Sequence, residues 1–175
     1  MEKNLVILFL VCFLFFGIPN SLGNPCLEKI MDRQLGVKEA GGNNRGWKIA
    51  QYLESVGLPE GFAWCSAYVH WVLEKCGVPN TITAWSPTAH NKKNIVYFRR
   101  EFTKHPEVGD VFTIYSMRNG RISHTGFFRE RINDKFYLTN EGNASAENAA
   151  NPYDGNGVYE KVRSFNATYS ITRWE

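Results

Sequence analysis

Four cysteines and four histidines are few ligands for a chain of 175 residues, and none of them recurs at C-x-x-C or H-x-x-x-H spacing. The sequence therefore predicts no metal centre, and it calls for no cofactor. No basic run interleaves with aromatics to track a phosphate backbone, and 20 Lys+Arg against 17 Asp+Glu leave a formal charge of only +3. A nucleic-acid groove is excluded as the organising feature, while a weak preference for anionic polymers is not. Internal repeats, low-complexity tracts and interdomain linkers are also missing. With 43% apolar and 21% charged residues, the composition is that of one globular domain large enough to bury its own core.

The one long apolar run, Leu5 to Ile18, follows Lys3 and precedes Pro19 and Asn20. It is short for a membrane span of about 20 residues and has the length of a secretory h-region. Ser21 and Gly23 stand at small-residue cleavage positions, so residues 1–23 read as a signal peptide and the mature chain as 24–175. Export to the periplasm or the extracellular space is the expectation, with membrane contact only through that segment. Asn24 and Pro25 before Cys26 are too bulky for a lipoprotein signal. Removing the leader removes Cys12 and leaves Cys26, Cys65 and Cys76, an odd count that points to one free thiol beside one disulfide. Three reduced, buried cysteines are the plain alternative.

Helical periodicity dominates from Asn24 to about Val78. Cys26, Leu27, Ile30, Met31 and Leu35 share a face before Gly36. Gly41-Gly42-Asn43-Asn44 precedes a second helix from Trp47 to Val56, which Gly57 and Pro59 end. A third opens near Cys65 and stops at Gly77-Val78-Pro79, and a further short helix is expected around Thr88–Asn94. Beyond it come β-branched and aromatic runs at Asp110–Tyr115, Ser123–Arg129, Lys135–Asn140, Gly157–Arg163 and Thr168–Trp174, separated by turn pairs such as Asn119-Gly120. Neighbouring runs should pair antiparallel. The fold class is α+β, with N-terminal helices on a C-terminal antiparallel sheet of about five to six strands.

Cys65 begins an apolar-periodic helix, and a helix N-terminus stabilises a thiolate through its free N–H groups and dipole. Those N–H groups would also hold an oxyanion. A cysteine at a helix start is more often structural than catalytic, so a base is the second requirement. His124 opens a strand at the end of an apolar run, a rigid platform for an imidazole. His70 is five residues from Cys65 and off its face, while His90 and His105 sit in polar connections and read as solvated. A strand pairing antiparallel with that of His124 would bring Glu141 or Asn143 beside the ring, against the plain reading of both as turn residues around Gly142. With Cys65 as the free thiol, Cys26 and Cys76 are the disulfide pair.

Ala63-Trp64-Cys65-Ser66-Ala67-Tyr68-Val69, Pro106-Glu107-Val108-Gly109-Asp110-Val111, His124-Thr125-Gly126-Phe127 and Glu141-Gly142-Asn143 together resemble the CHAP family of cysteine amidohydrolases. The resemblance implies a papain-like fold, related to that of NlpC-type endopeptidases, and catalytic roles for Cys65, His124, Glu141 and Asn143. It also implies substrate contacts from Trp64 beside the nucleophile and from Asn43 and Asn44 in the stretch Glu39–Gly46. The implied substrate is bacterial peptidoglycan, cut either between muramic acid and L-alanine or within the stem or cross-bridge. An NlpC-type endopeptidase and a glutathionylspermidine-type amidase are enzyme rivals, and a silent wall-binding or toxin-partner module is the rival from another class. Asn143-Ala144-Ser145 and Asn166-Ala167-Thr168 match glycosylation acceptors, and since a glycan on Asn143 would block the site, a bacterial source is expected.

Overall fold

The computed structural model describes residues 23–146 and 155–175. The apolar run Leu5–Ile18 and the rest of the expected signal peptide up to Leu22 lie outside them, and no helix among the described residues is long and apolar enough to cross a membrane.

Three helices come first. Helix α1 (Pro25–Gln34) starts where Asn24 accepts the Cys26 N–H on its side chain at 3.0 Å and Pro25 supplies a preset φ. It buries Leu27 and Met31, and Gly36 leaves it at φ +79°. Helix α2 (Trp47–Glu54) buries Ile49, Tyr52 and Leu53. Helix α3 (Cys65–Lys75) is buried almost all round, from Cys65 through Val69 and from Trp71 to Leu73, which makes it the central helix of the core. A disulfide joins Cys26 in the first turn of α1 to Cys76 at the end of α3, with Cα atoms 5.7 Å apart, and Cys65 is the free cysteine among the described residues.

Seven strands follow: β1 (Ile95–Phe98), β2 (Glu101–Phe102), β3 (Val111–Ser116), β4 (Arg121–Arg131), β5 (Phe136–Ala144), β6 (Gly157–Ser164) and β7 (Ser170–Thr172). They form one antiparallel sheet in the order β2-β1-β7-β3-β4-β5-β6. The sequence expectation of five to six strands is short because it omits the edge hairpin β1–β2. There Arg99 and Arg100, at φ +46° and +78°, reverse the chain inside a charged stretch that carries no ordinary turn signal. The helix expected over Thr88–Asn94 is instead a single 3-10 turn, Ser86–Ala89, started by Pro87. Nor does the last strand pair with its sequence neighbour. After the short turn Phe165–Ala167, β7 crosses to the far side of the meander and lies between β1 and β3.

Alternation along β3 and β4 sends Val111 and Phe127 toward the helices, and Phe112 and Phe128 into a second cluster with Tyr97, Tyr137 and Phe165. The helices are thus fixed against one face of the sheet while aromatic rings hold the other. Two glycines set how close the layers come. A Cβ on Gly142 would stand 2.6 Å from Tyr68 Cγ on α3, and one on Gly126 would meet Asn140 O at 2.8 Å and Glu141 Cγ at 3.0 Å. Their bare backbone is what lets α3, β4 and β5 converge.

Candidate active site

The convergence places three side chains together. Cys65 is the first residue of α3, whose preceding residue, Trp64, provides no side-chain cap. The first-turn N–H groups therefore keep their positive potential for the sulfur and its surroundings. From β4, His124 presents its ring edge-on to Phe112, with centroids 6.2 Å apart, and its Nε2 lies 2.7 Å from Glu141 Oε2. The imidazole also acts on the Cys65 thiol, lowering its pKa against the effect of burial. Because Nε2 is engaged by Glu141, Nδ1 is the nitrogen left to face the sulfur.

Glu141 is completely buried and multiply held. It accepts from Thr139 Oγ1 at 2.6 Å, from Arg163 Nε at 2.6 Å and from Arg163 Nη2, besides its contact with His124. Burial alone would raise its pKa, but the Arg163 and His124 contacts dominate and hold it at about 2. The same logic runs along the chain of groups. Burial opposes a charged His124, yet the bonds to Cys65 and Glu141 push its pKa up to about 10. Burial likewise opposes a thiolate at Cys65, and the His124 hydrogen bond and charge, with help from Ser86 and the Thr125 backbone, bring it below its ordinary value. The arrangement favours a thiolate–imidazolium pair anchored on a carboxylate.

Cys65 and His124 line a cleft of about 680 Å³, whose walls also include Phe62, Trp85, Ser86, Arg121, Asn143 and Arg163, while Glu141 stays buried behind the imidazole. Ser86, on the 3-10 turn, brings its Oγ to 3.6 Å from Cys65 Sγ. Neither Ser86 nor Arg163 is singled out by the sequence. Ser86 sits in an unremarked polar connection, and Arg163 reaches Glu141 diagonally from β6, where its Cα faces Tyr137 instead. Only the register of the β5–β6 pair, which the intervening segment leaves open in the sequence, could have revealed that contact.

The CHAP domain family model matches residues 57–143. This chain carries a CHAP domain. No curated protein and no solved structure matches the chain. The CHAP match begins just after α2 and runs through α3, β4 and most of β5, so it contains Cys65, His124 and Glu141 and leaves α1, α2, Arg163 and the last two strands outside. A CHAP domain goes with a hydrolase-like role directed at peptidoglycan.

Other site residues expected of the CHAP domain lie elsewhere or do other work. Trp64 is wholly buried, stacked on Tyr52 with its indole N–H donated to Glu39 at 2.9 Å, so it supports the nucleophile helix from below and offers no surface to substrate. Asn43 is exposed and Asn44 half-buried, and neither lines the cleft. Asn44 instead takes a hydrogen bond from Asn143 Nδ2 at 3.3 Å. Asn143 is at the cleft wall in a β-bulge at φ +52°, but its Oδ1 accepts the Trp64 N–H at 3.1 Å and its Nδ2 also donates to Gly155 O at 2.9 Å. With both amide hydrogens engaged it cannot serve an oxyanion; it ties β5 to the residue before Cys65. His70 is bound to Asn80, and His90, expected to be solvated, is bound to Ser170 and stacked on Phe98. No cluster of His, Cys, Asp or Glu that could hold a metal occurs among the described residues.

Proposed function

We propose that this protein is an exported cysteine hydrolase that cleaves an amide bond of bacterial peptidoglycan, either as a muramoyl-alanine amidase or as a stem or cross-bridge endopeptidase. The observation that carries this reading is the Cys65–His124–Glu141 relay, whose first two members line one cleft, supported by the CHAP match. In the reaction the Cys65 thiolate attacks the scissile carbonyl carbon, and the oxyanion forms against the N–H groups of the first turn of α3. Imidazolium His124 gives its Nδ1 proton to the departing amine, the C–N bond breaks, and a thioester remains. Water then adds to the thioester with His124 as base, releasing the carboxylate and restoring the thiolate. Glu141 keeps the ring oriented and its charged form stable throughout. Export by the N-terminal leader brings the enzyme to the wall.

The test is digestion of purified peptidoglycan followed by mass spectrometry of the soluble fragments. Wild-type protein should release fragments with new amino termini whose masses name the bond cut, and Cys65→Ala should fold normally and release none. Binding to wall material with no new termini from the wild type would mark a silent wall-binding module instead.

A further inference from the structure

The ionised groups that meet at the nucleophile balance in pairs. A Cys65 thiolate offsets an imidazolium at His124, and the Glu141 carboxylate offsets the Arg163 guanidinium. Arg121 is left over. It lines the same cleft, and among the described residues it makes no ion pair. Its guanidinium lies on the Trp85 ring, 4.1 Å from the centroid, and its Nη1 is tied to Ile122 O at 2.9 Å. Stacking covers one face of the fork, while among the described residues most of its five N–H donors have no partner.

The platform under Arg121 is built, although Trp85 itself is 53% exposed. Thr83 Oγ1 accepts the Trp85 N–H at 3.1 Å, and Thr88 Oγ1 donates to Trp85 O at 2.7 Å, so the loop is pinned on both sides of the ring. Trp85 immediately precedes Ser86, whose hydroxyl touches the nucleophile, and Arg121 is three residues ahead of His124 on β4. A group held by this fork therefore belongs to the part of the substrate adjoining the reacting carbonyl. A planar, preorganised guanidinium with unused parallel donors selects a carboxylate over a neutral carboxamide, which can accept only at its oxygen and brings no charge.

We propose that Arg121 and Trp85 form a carboxylate subsite, and that the substrate is a peptide bearing a free carboxylate within about one residue of the scissile amide, in preference to the same peptide amidated at that position. The proposal rests on the hydrolase reading above only for the word scissile, because binding alone exposes the subsite. The experiment uses two stem peptides that differ only in whether the α-carboxyl of their acidic residue is free or amidated. Binding is measured on Cys65→Ala by calorimetry and turnover on the wild type. The acid form should bind about tenfold tighter or more. In Cys65→Ala/Arg121→Gln that ratio should fall to within about twofold, with Arg121→Lys between the two because it keeps the charge and loses the fork. Equal binding of both peptides, binding of neither, or a ratio untouched by Arg121→Gln would overturn the subsite. Discriminating binding without cleavage by the wild type would leave the subsite standing and remove the hydrolase. Cleavage of both peptides at equal efficiency and equal affinity would do the reverse.

Discussion

A carboxyl group with no solvent contact is driven toward its neutral form, yet Glu141 is held ionised because Arg163 grips it through two guanidinium donors and His124 through a third. The whole relay inherits its polarity from that carboxylate. In Glu141→Gln the charge that helps lift His124 to about 10 is gone, so the His124 pKa falls and the alkaline limb of the rate profile moves to lower pH. The less stable imidazolium also stabilises the thiolate less, so the acid limb moves up and the active window narrows from both sides. Arg163 is a positioning residue acting through Glu141, and Arg163→Gln releases the carboxyl from its hold near 2 toward higher values. The sign for stability follows. A depressed carboxyl contributes stability that is complete above the unfolded value of about 4.3 and is lost as pH falls toward 2. Arg163→Gln should therefore unfold at higher pH on acid titration than the wild type, and Arg163→Lys should recover part of the difference. Identical pH–rate and acid-unfolding curves for wild type and Arg163→Gln would deny Arg163 this role.

The elements that assemble the site were legible in proportion to how local their signals are. Periodicity and glycine stops mark α1, α2 and α3 in the sequence close to where they lie, and the antiparallel pairing of β4 with β5 places Glu141 beside His124. What stayed hidden depends on contacts between distant segments. Asn143 reads as a turn residue or a partner of the His124 ring, and becomes a brace only because α3 and the Asn44 loop arrive beside it. Arg163 and Ser86 acquire meaning from register and loop packing that no spacing encodes. Gly142 is the counterpart at the junction of elements. Its φ lies outside the left-handed region, so the requirement is steric: an added Cβ would press on Tyr68 and on Trp64 Cζ3 at 2.8 Å. Gly142→Ala should push the nucleophile helix off β5, lowering stability by about 1–3 kcal/mol and separating Cys65 from His124. Thermal unfolding and the alkylation rate of Cys65 would show both effects, and an unshifted melting point would mean the layers part more easily than their packing implies.

At the scale of the whole molecule, the helices and the sheet are held by burial across one face, and the covalent link lies on the helical side. The Cys26–Cys76 disulfide closes a loop with a sequence separation of 50 and ties the first turn of α1 to the end of α3, the opposite end from Cys65. A loop of that length restricts the unfolded chain by about 4 kcal/mol in the chain-entropy account. Neither cysteine lines the catalytic cleft. Stability and chemistry should therefore separate in the double variant Cys26→Ser/Cys76→Ser: it should unfold several degrees lower and at lower denaturant, while turnover per folded molecule stays near wild type below its melting point. Thiol titration of the unfolded, non-reduced chain beginning at Asn24 should find one reactive group, and labelling should map it to Cys65. A thiol reductant then has opposed effects, keeping Cys65 reduced while opening the link between α1 and α3. Activity measured against reductant at rising temperature should pass through a maximum in the wild type, whereas the double variant, with no link left to open, should show only the protective limb. A wild-type curve of the same shape as the variant's would mean that the disulfide adds nothing to the folded ensemble at those temperatures.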